Sequence, residues 1–227
     1  MIKSFSIATI IAFIFLKGAE IEQVSEDSDA KQILAVAQKM ISTIKEIDDF
    51  ISEAEIIYYK KVKEDKCYRL TYFFNRKGFF RIHLSRPFPG VTVFYKRGEE
   101  KLTIKPFRFL PLKFRFSIYS AMVKGPNGQR IDQSDVGYII EFFYKNIKWI
   151  QEGENEFFEE ENQIEFMFWA LDYIENKNLE KYRVFVSKEN WLPTRIERYN
   201  LEGKPIEIII FKKYTINSHL KDKFFLP

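Results

Sequence analysis

Two histidines, one cysteine and a scatter of carboxylates are the groups in this chain from which a catalytic or metal site would most simply be built. His83 falls on the polar side of an alternating stretch, and His219 stands near the C-terminus in Asn217-Ser218-His219. Both read as surface histidines. Cys67 also lies in an alternating stretch with no histidine beside it. A single cysteine excludes an intramolecular disulfide, and with two histidines it leaves no ordinary zinc site. The run Glu159-Glu160-Glu161 reads as a solvated acidic turn. G-x-S-x-G, H-E-x-x-H, P-loop and G-x-G-x-x-G patterns are all absent. The expectation is a protein that is not an enzyme and needs no cofactor or metal.

The chemistry on offer is apolar. Among 227 residues there are 24 Phe, 12 Tyr and 3 Trp, 17% in all, against 9 Gly and 8 Pro. So many rings must be buried in a sheet or presented to an apolar ligand. With 46% hydrophobic and 30% charged residues the chain is neither disordered nor a polytopic membrane protein. The formal charge of +4 comes from 36 basic and 32 acidic residues, too balanced for a strongly basic nucleic-acid binder. Arg76-Lys77-Gly78-Phe79-Phe80-Arg81-Ile82-His83 interleaves bases and rings as an RNA-binding strand does. It lacks the small residue between the aromatics, and no partner strand occurs, so no nucleic-acid partner is expected.

The elements that must position those rings follow from periodicity. Met1-Ile-Lys3, an uncharged apolar run from Phe5 to Leu16 and Lys17-Gly18-Ala19 form the pattern of an export signal, too short to span a bilayer. Residues 1–19 are therefore read as a signal peptide and 20–227 as one domain, placed in a bacterial periplasm. A helix from Asp29 to about Asp48 carries the stripe Ile33, Val36, Ala37, Met40, Ile44 and Ile47. A second, from about Asp132 to Ile150, carries Val136, Ile139, Ile140, Phe143, Ile147 and Ile150. Between and after them the period is two. The spacing predicts antiparallel strands near 50–58, 67–74, 80–84, 91–95, 101–105, 163–173, 182–187, 194–199 and 206–214. Residues 106–126 are apolar without clear periodicity. A curved antiparallel sheet over an incompletely filled interior suits a lipid-sized ligand, whereas the same rings in a filled core need none.

Three stretches carry a resemblance to a known family. Phe74-Asn75-Arg76-Lys77-Gly78-Phe79-Phe80-Arg81-Ile82, followed by Pro87 and a strand ending at Arg97-Gly98, resembles a strand–turn–strand with a basic-Arg-Pro turn leading to an Asp-Gly turn. Lys77 stands at the family's Pro and Arg97 at its Asp. Gly128-Gln129-Arg130-Ile131-Asp132-Gln133-Ser134-Asp135-Val136-Gly137-Tyr138 is similar to a branch of the same superfamily. The closing succession is the most specific: Trp191-Leu192-Pro193-Thr194-Arg195-Ile196-Glu197, Tyr199-Asn200-Leu201-Glu202-Gly203-Lys204, Phe211-Lys212-Lys213-Tyr214-Thr215-Ile216-Asn217 and Phe224-Phe225. Together they resemble the LolA family of periplasmic lipoprotein carriers, across the whole of 20–227.

The resemblance implies an α+β fold, a curved antiparallel sheet forming an incomplete barrel lidded by amphipathic helices. It implies a carrier that takes acylated lipoproteins, or related lipids, from an inner-membrane ABC transporter to an outer-membrane receptor, acting as a monomer. The alternative is a periplasmic sensor or adaptor that binds a protein partner through the same module. Expected cavity residues are Tyr72, Phe74, Phe80, Ile82, Leu84, Phe166, Phe168, Ile208 and Ile210. Ile139, Ile140 and Phe143 would form the lid, and Arg76 stands where the family's arginine latches it.

Overall fold

Alternating apolar residues become strands because one face of each strand can then be buried, and here the described strands join one sheet. The computed structural model describes residues 28–59, 66–107, 109–134, 138, 142 and 145–227. Its strands are β1 (Asp49–Tyr58), β2 (Lys66–Asn75), β3 (Phe79–Arg86), β4 (Thr92–Lys96), β5 (Lys101–Lys105), β6 (Phe114–Ser117), β7 (Glu156–Glu159), β8 (Gln163–Leu171), β9 (Leu179–Ser187), β10 (Pro193–Tyr199) and β11 (Pro205–Ile216). Their order is β6-β5-β4-β3-β2-β1-β11-β10-β9-β8-β7, and every neighbouring pair is antiparallel. The first and last strands therefore meet in the middle. Among the described residues β6 and β7 are the edge strands, and the sheet is curved and unclosed. This is the α+β incomplete barrel expected from the resemblance.

Helix α1 (Ser28–Glu46) begins one residue before Asp29, which places that carboxylate in the first turn, with Lys45 in the last, each complementing the helix dipole. Its stripe Ile33, Val36, Ala37, Met40 and Ile44 is buried, as is Ile47 just beyond it. The helix lies across the concave face and serves two hydrophobic clusters. Its N-terminal half packs on Ile164, Phe166 and Phe168 of β8 and Val184 and Val186 of β9. Ile44 and Ile47 join Phe50, Tyr72, Phe74, Phe80, Tyr95 and Leu102 of β1–β5.

The second expected helix is described only in part. Helix α2 (Ile147–Glu152) is its end, and Ile131–Gln133 at its start is a 3-10 turn. Ile139, Ile140 and Phe143 lie outside the described residues, as do residues 1–19. Two strands were not in the periodicity reading. β6 emerges from the apolar stretch 106–126, and β7 from Glu156-Phe157-Phe158-Glu159 beside the acidic run. After β6 the chain turns back over the concave face. Ile118, Val123 and Ile131 pack on the β1–β5 cluster, while Gln133 donates to the Ile174 carbonyl (2.7 Å) beyond β8.

The convex face carries His83 and Cys67. Arg81 Nε donates to His83 Nε2 (2.7 Å), and the Cys67 thiol donates to Glu55 (3.2 Å). Burial, reinforced by that carboxylate, pushes the Cys67 thiol up, away from the reactive thiolate. Phe224 and Phe225 of the closing motif fold back on Phe73 and Phe79, with ring centroids 4.9 and 6.2 Å apart, and Arg81 donates to the Phe224 carbonyl (2.7 Å).

Candidate functional site

Between the two packed clusters the concave face holds a cavity of about 170 Å³. Its floor is the middle of the sheet: Phe50, Ala54, Ile56 and Tyr58 of β1, Leu70 and Tyr72 of β2, Ile82 of β3, Ile196 of β10, and Ile209, Phe211 and Tyr214 of β11. Tyr182 and Val184 of β9 form one wall. Gln129, Gln133, Ser134, Tyr138 and Phe142 form the roof. Ala54 matters by its smallness, because it leaves space between the rings of Phe50 and Tyr58 on the same strand face.

A bulge shapes the floor. Glu53 pairs with Lys213 but Ala54 with Phe211, so Lys212 is an extra residue and inward parity changes there. Glu207, Ile209 and Phe211 face in before it and Tyr214 after it, with the Phe211 and Tyr214 rings stacked at 5.7 Å.

One end of the cavity is closed by a buried polar network. Arg198, 2% exposed, donates to both oxygens of Glu180 (2.9 and 3.0 Å) and to Glu207 (2.8 Å). Tyr173 also donates to Glu207 (2.9 Å), and its ring lies 4.4 Å from the guanidinium. Gln129 reaches from the roof to the Tyr58 hydroxyl and to Glu207 (3.3 Å). Burial pushes the Tyr58 and Tyr173 phenols well up, so they stay neutral, and it raises the Glu180 carboxyl against the pull of Arg198. The charges satisfy one another and present little to the space beside them. Burial would also raise Asp172, yet backbone N–H groups of Asn178, Glu175, Lys177 and Ile174 together hold it below its ordinary value. Those bonds fix the turn that carries Tyr173.

Of the expected cavity residues, Tyr72 and Ile82 line the space. Phe74 and Phe80 face the same way but are enclosed by other rings, 5.5 Å from each other and Phe80 5.7 Å from Tyr95. Phe166 and Phe168 are wholly buried in the cluster that α1 fills. Leu84 is half-buried on β3 outside the lining. Ile208 and Ile210 alternate with the lining residues and belong to the convex side; the floor is made by Ile209 and Phe211 instead. Arg76 Nη2 pairs with Asp48, and Nη1 lies 3.5 Å from the Lys45 carbonyl in the last turn of α1, so it ties the β2–β3 turn to that helix.

Sequence reasoning missed Arg198, Glu207, Gln129 and Ala54. Arg198 and Glu207 form an opposite-charge pair facing each other across a hairpin with a Gly203 turn, a signal available from spacing alone.

No protein-family model and no curated protein matches the chain in sequence. Some solved structures are similar to it over most of its length, at low identity. A LolA superfamily protein from Nitrosomonas europaea is 13% identical, covering 84% of this chain and 97% of its own with a TM-score of 0.41. A domain assigned to outer membrane lipoprotein sorting in Vibrio parahaemolyticus is 14% identical, covering 87% and 97%, TM-score 0.43. The lipoprotein LppX of Mycobacterium tuberculosis is 8% identical, covering 84% and 98%, TM-score 0.48. What this cavity can hold follows from its own walls.

Proposed function

We propose that the chain is an envelope carrier that shields acyl chains of a lipoprotein, or of a related lipid, in the concave cavity. The observation that carries this reading is a partly open apolar space between two well-packed clusters, on the concave face near the middle of the sheet. Each buried methylene would contribute about 0.8 kcal/mol, so even partial enclosure of a chain binds it usefully. An apolar cavity of roughly 150 Å³ holds a benzene-sized group. The cavity here, about 170 Å³, is thus smaller than a whole acyl chain. Cargo longer than a few methylenes needs the roof formed by Gln129, Gln133, Ser134, Tyr138 and Phe142 to swing away. No covalent step is required: opening exposes the floor, the chain enters, and a receptor offering better apolar burial removes it. An export signal at residues 1–19 would place the carrier in the periplasm, between an inner-membrane transporter that loads it and an outer-membrane receptor that unloads it.

Native mass spectrometry with a synthetic triacylated peptide tests the reading. The wild-type protein should form a one-to-one adduct, and Ala54→Phe, which fills the floor, should not. A wild-type protein that stays free of peptide, or a variant that loads equally well, removes the carrier reading.

A further inference from the structure

The near-balanced charge of the chain conceals a strong asymmetry. Residues 66–131, which hold β2 to β6 and the connection over the cavity, contain 15 of the 36 basic residues and only 2 of the 32 acidic ones, Glu99 and Glu100. That segment is formally +13, and the rest, with 21 basic against 30 acidic residues, is −9. Register then gathers the apolar excess at one end of this cationic half-sheet. Thr92 at the start of β4 pairs with Lys105 at the end of β5, and Ile104 with Phe114 at the start of β6. The β3–β4 turn and the β5–β6 connection therefore leave the sheet side by side, at the end opposite Glu99 and Glu100. Here stand Phe88, Phe107, Phe109, Leu110, Leu112 and Phe114, six of the twelve large hydrophobics exposed among the described residues, with Phe109 92% exposed.

We infer that this corner docks on an anionic phospholipid surface. Apolar tips bracketed by cations enter the boundary between headgroups and acyl chains while Lys and Arg meet the phosphates. Arg86 and Arg115 are exposed here, Lys105 lies 5.5 Å from the Phe94 ring, and Lys113 donates to the Pro227 oxygen (2.6 Å). Cations on a free edge strand also discourage edge-to-edge pairing, but that gives no reason for the rings and leucines to stand out at the loop tips. Nucleic acid would be met by rings lying on strand faces. These are at turns flanked by Pro87, Pro89, Pro106 and Pro111, mixed with leucines that cannot stack. The inference does not depend on what the cavity holds.

Flotation of the full chain with vesicles of phosphatidylcholine alone, or with about one-third phosphatidylglycerol, tests it. Binding should appear on the anionic vesicles, fall with salt, and drop about tenfold or more in Arg86→Glu with Arg115→Glu and in Phe109→Ser with Leu110→Ser. Leu201→Ser, an exposed apolar residue of the β10–β11 hairpin, should bind as wild type, and all variants should melt as wild type. Equal binding to neutral vesicles, or either double variant binding as wild type, overturns the inference. So does retention of a single-stranded RNA oligonucleotide in preference to the anionic vesicles.

Discussion

Under β8 and β9 the concave face is filled by helix, and under β1, β2, β10 and β11 it is covered by a returning connection. The difference lies in what each cover can offer. α1 presents a continuous apolar stripe, and Ala30, Ile33 and Ala37 let it sit close on Phe166 and Phe168 until nothing is left between them. The connection 118–134 contributes isolated side chains, with Gln129 and Gln133 spent on hydrogen bonds at its far end. Its apolar residues Ile118, Val123 and Ile131 pack towards the β1–β5 side, and the middle of the sheet is left with a cavity. One sheet thus holds a packed core and a cavity side by side, and the cover decides which is which.

The sharpest way to break that comparison is to truncate one residue in each half. Phe168→Ala should cost about 3–5 kcal/mol, the usual loss for a large ring in a close-packed site. Ile209→Ala, beside the existing void, should cost about 2 kcal/mol or less, because part of its surface already lacks partners. Equal losses by denaturant titration would mean the middle is packed as tightly as the end. Arg198→Met belongs with the large effects, at about 3–5 kcal/mol, since two buried carboxylates lose their cation. The Glu180 carboxyl is raised by burial, so this loss should shrink as pH falls and Glu180 takes a proton. A pH-independent loss would dissociate the closed end of the cavity from its charge balance.

Enlarging an alanine sharpens the same contrast from the other side. Ala170→Phe, in the helix-filled half, should overpack and cost about 1–3 kcal/mol. Ala54→Phe should cost less than about 1 kcal/mol while removing acyl-peptide binding, since the ring enters empty space. The smallest effect belongs to the convex face. There Lys212 (2.6 Å), Cys67 and Arg69 hold the Glu55 carboxyl down at about 2 instead of 4.5. Its stabilisation is present above pH 4.5 and lost as pH falls towards 2. The stability difference between wild type and Glu55→Gln should therefore close over that window, and a constant difference would show that the ion pairs contribute nothing.

Most of the sheet is legible in the sequence because its strands alternate cleanly. Ala54, Ile56 and Tyr58 against Glu53 and Glu55, or Phe80, Ile82 and Leu84 against Arg81 and Ser85, leave one choice of inward face. β6 is harder, because Phe114 and Phe116 alternate with Arg115 inside a proline-bearing apolar stretch. β7 is hidden by the glutamates on either side of it. On β11 the sequence pattern points to the wrong face for a definite reason. Ile206 and Ile208 to Phe211 are apolar on both parities, and the one carboxylate, Glu207, argues for an outward odd face. Glu207 instead faces inward to meet Arg198, so the buried pair overrides the pattern. Which inward ring touches empty space and which touches another ring is set by the covering segments, and no alternation in a strand reports that.

The pairing of β1 with β11 has a consequence for how the protein comes to exist. Phe50 lies opposite Ile216, so the floor of the cavity is a seam between the earliest and latest strands among the described residues. Each half-sheet can form from nearby residues, but the seam waits for the last strand to arrive. Until β11 arrives, β1 keeps one edge bare, with Phe50, Ile56 and Tyr58 uncovered. The space where cargo is proposed to rest is therefore also the last part of the molecule to be built, and the part most in need of protection until then.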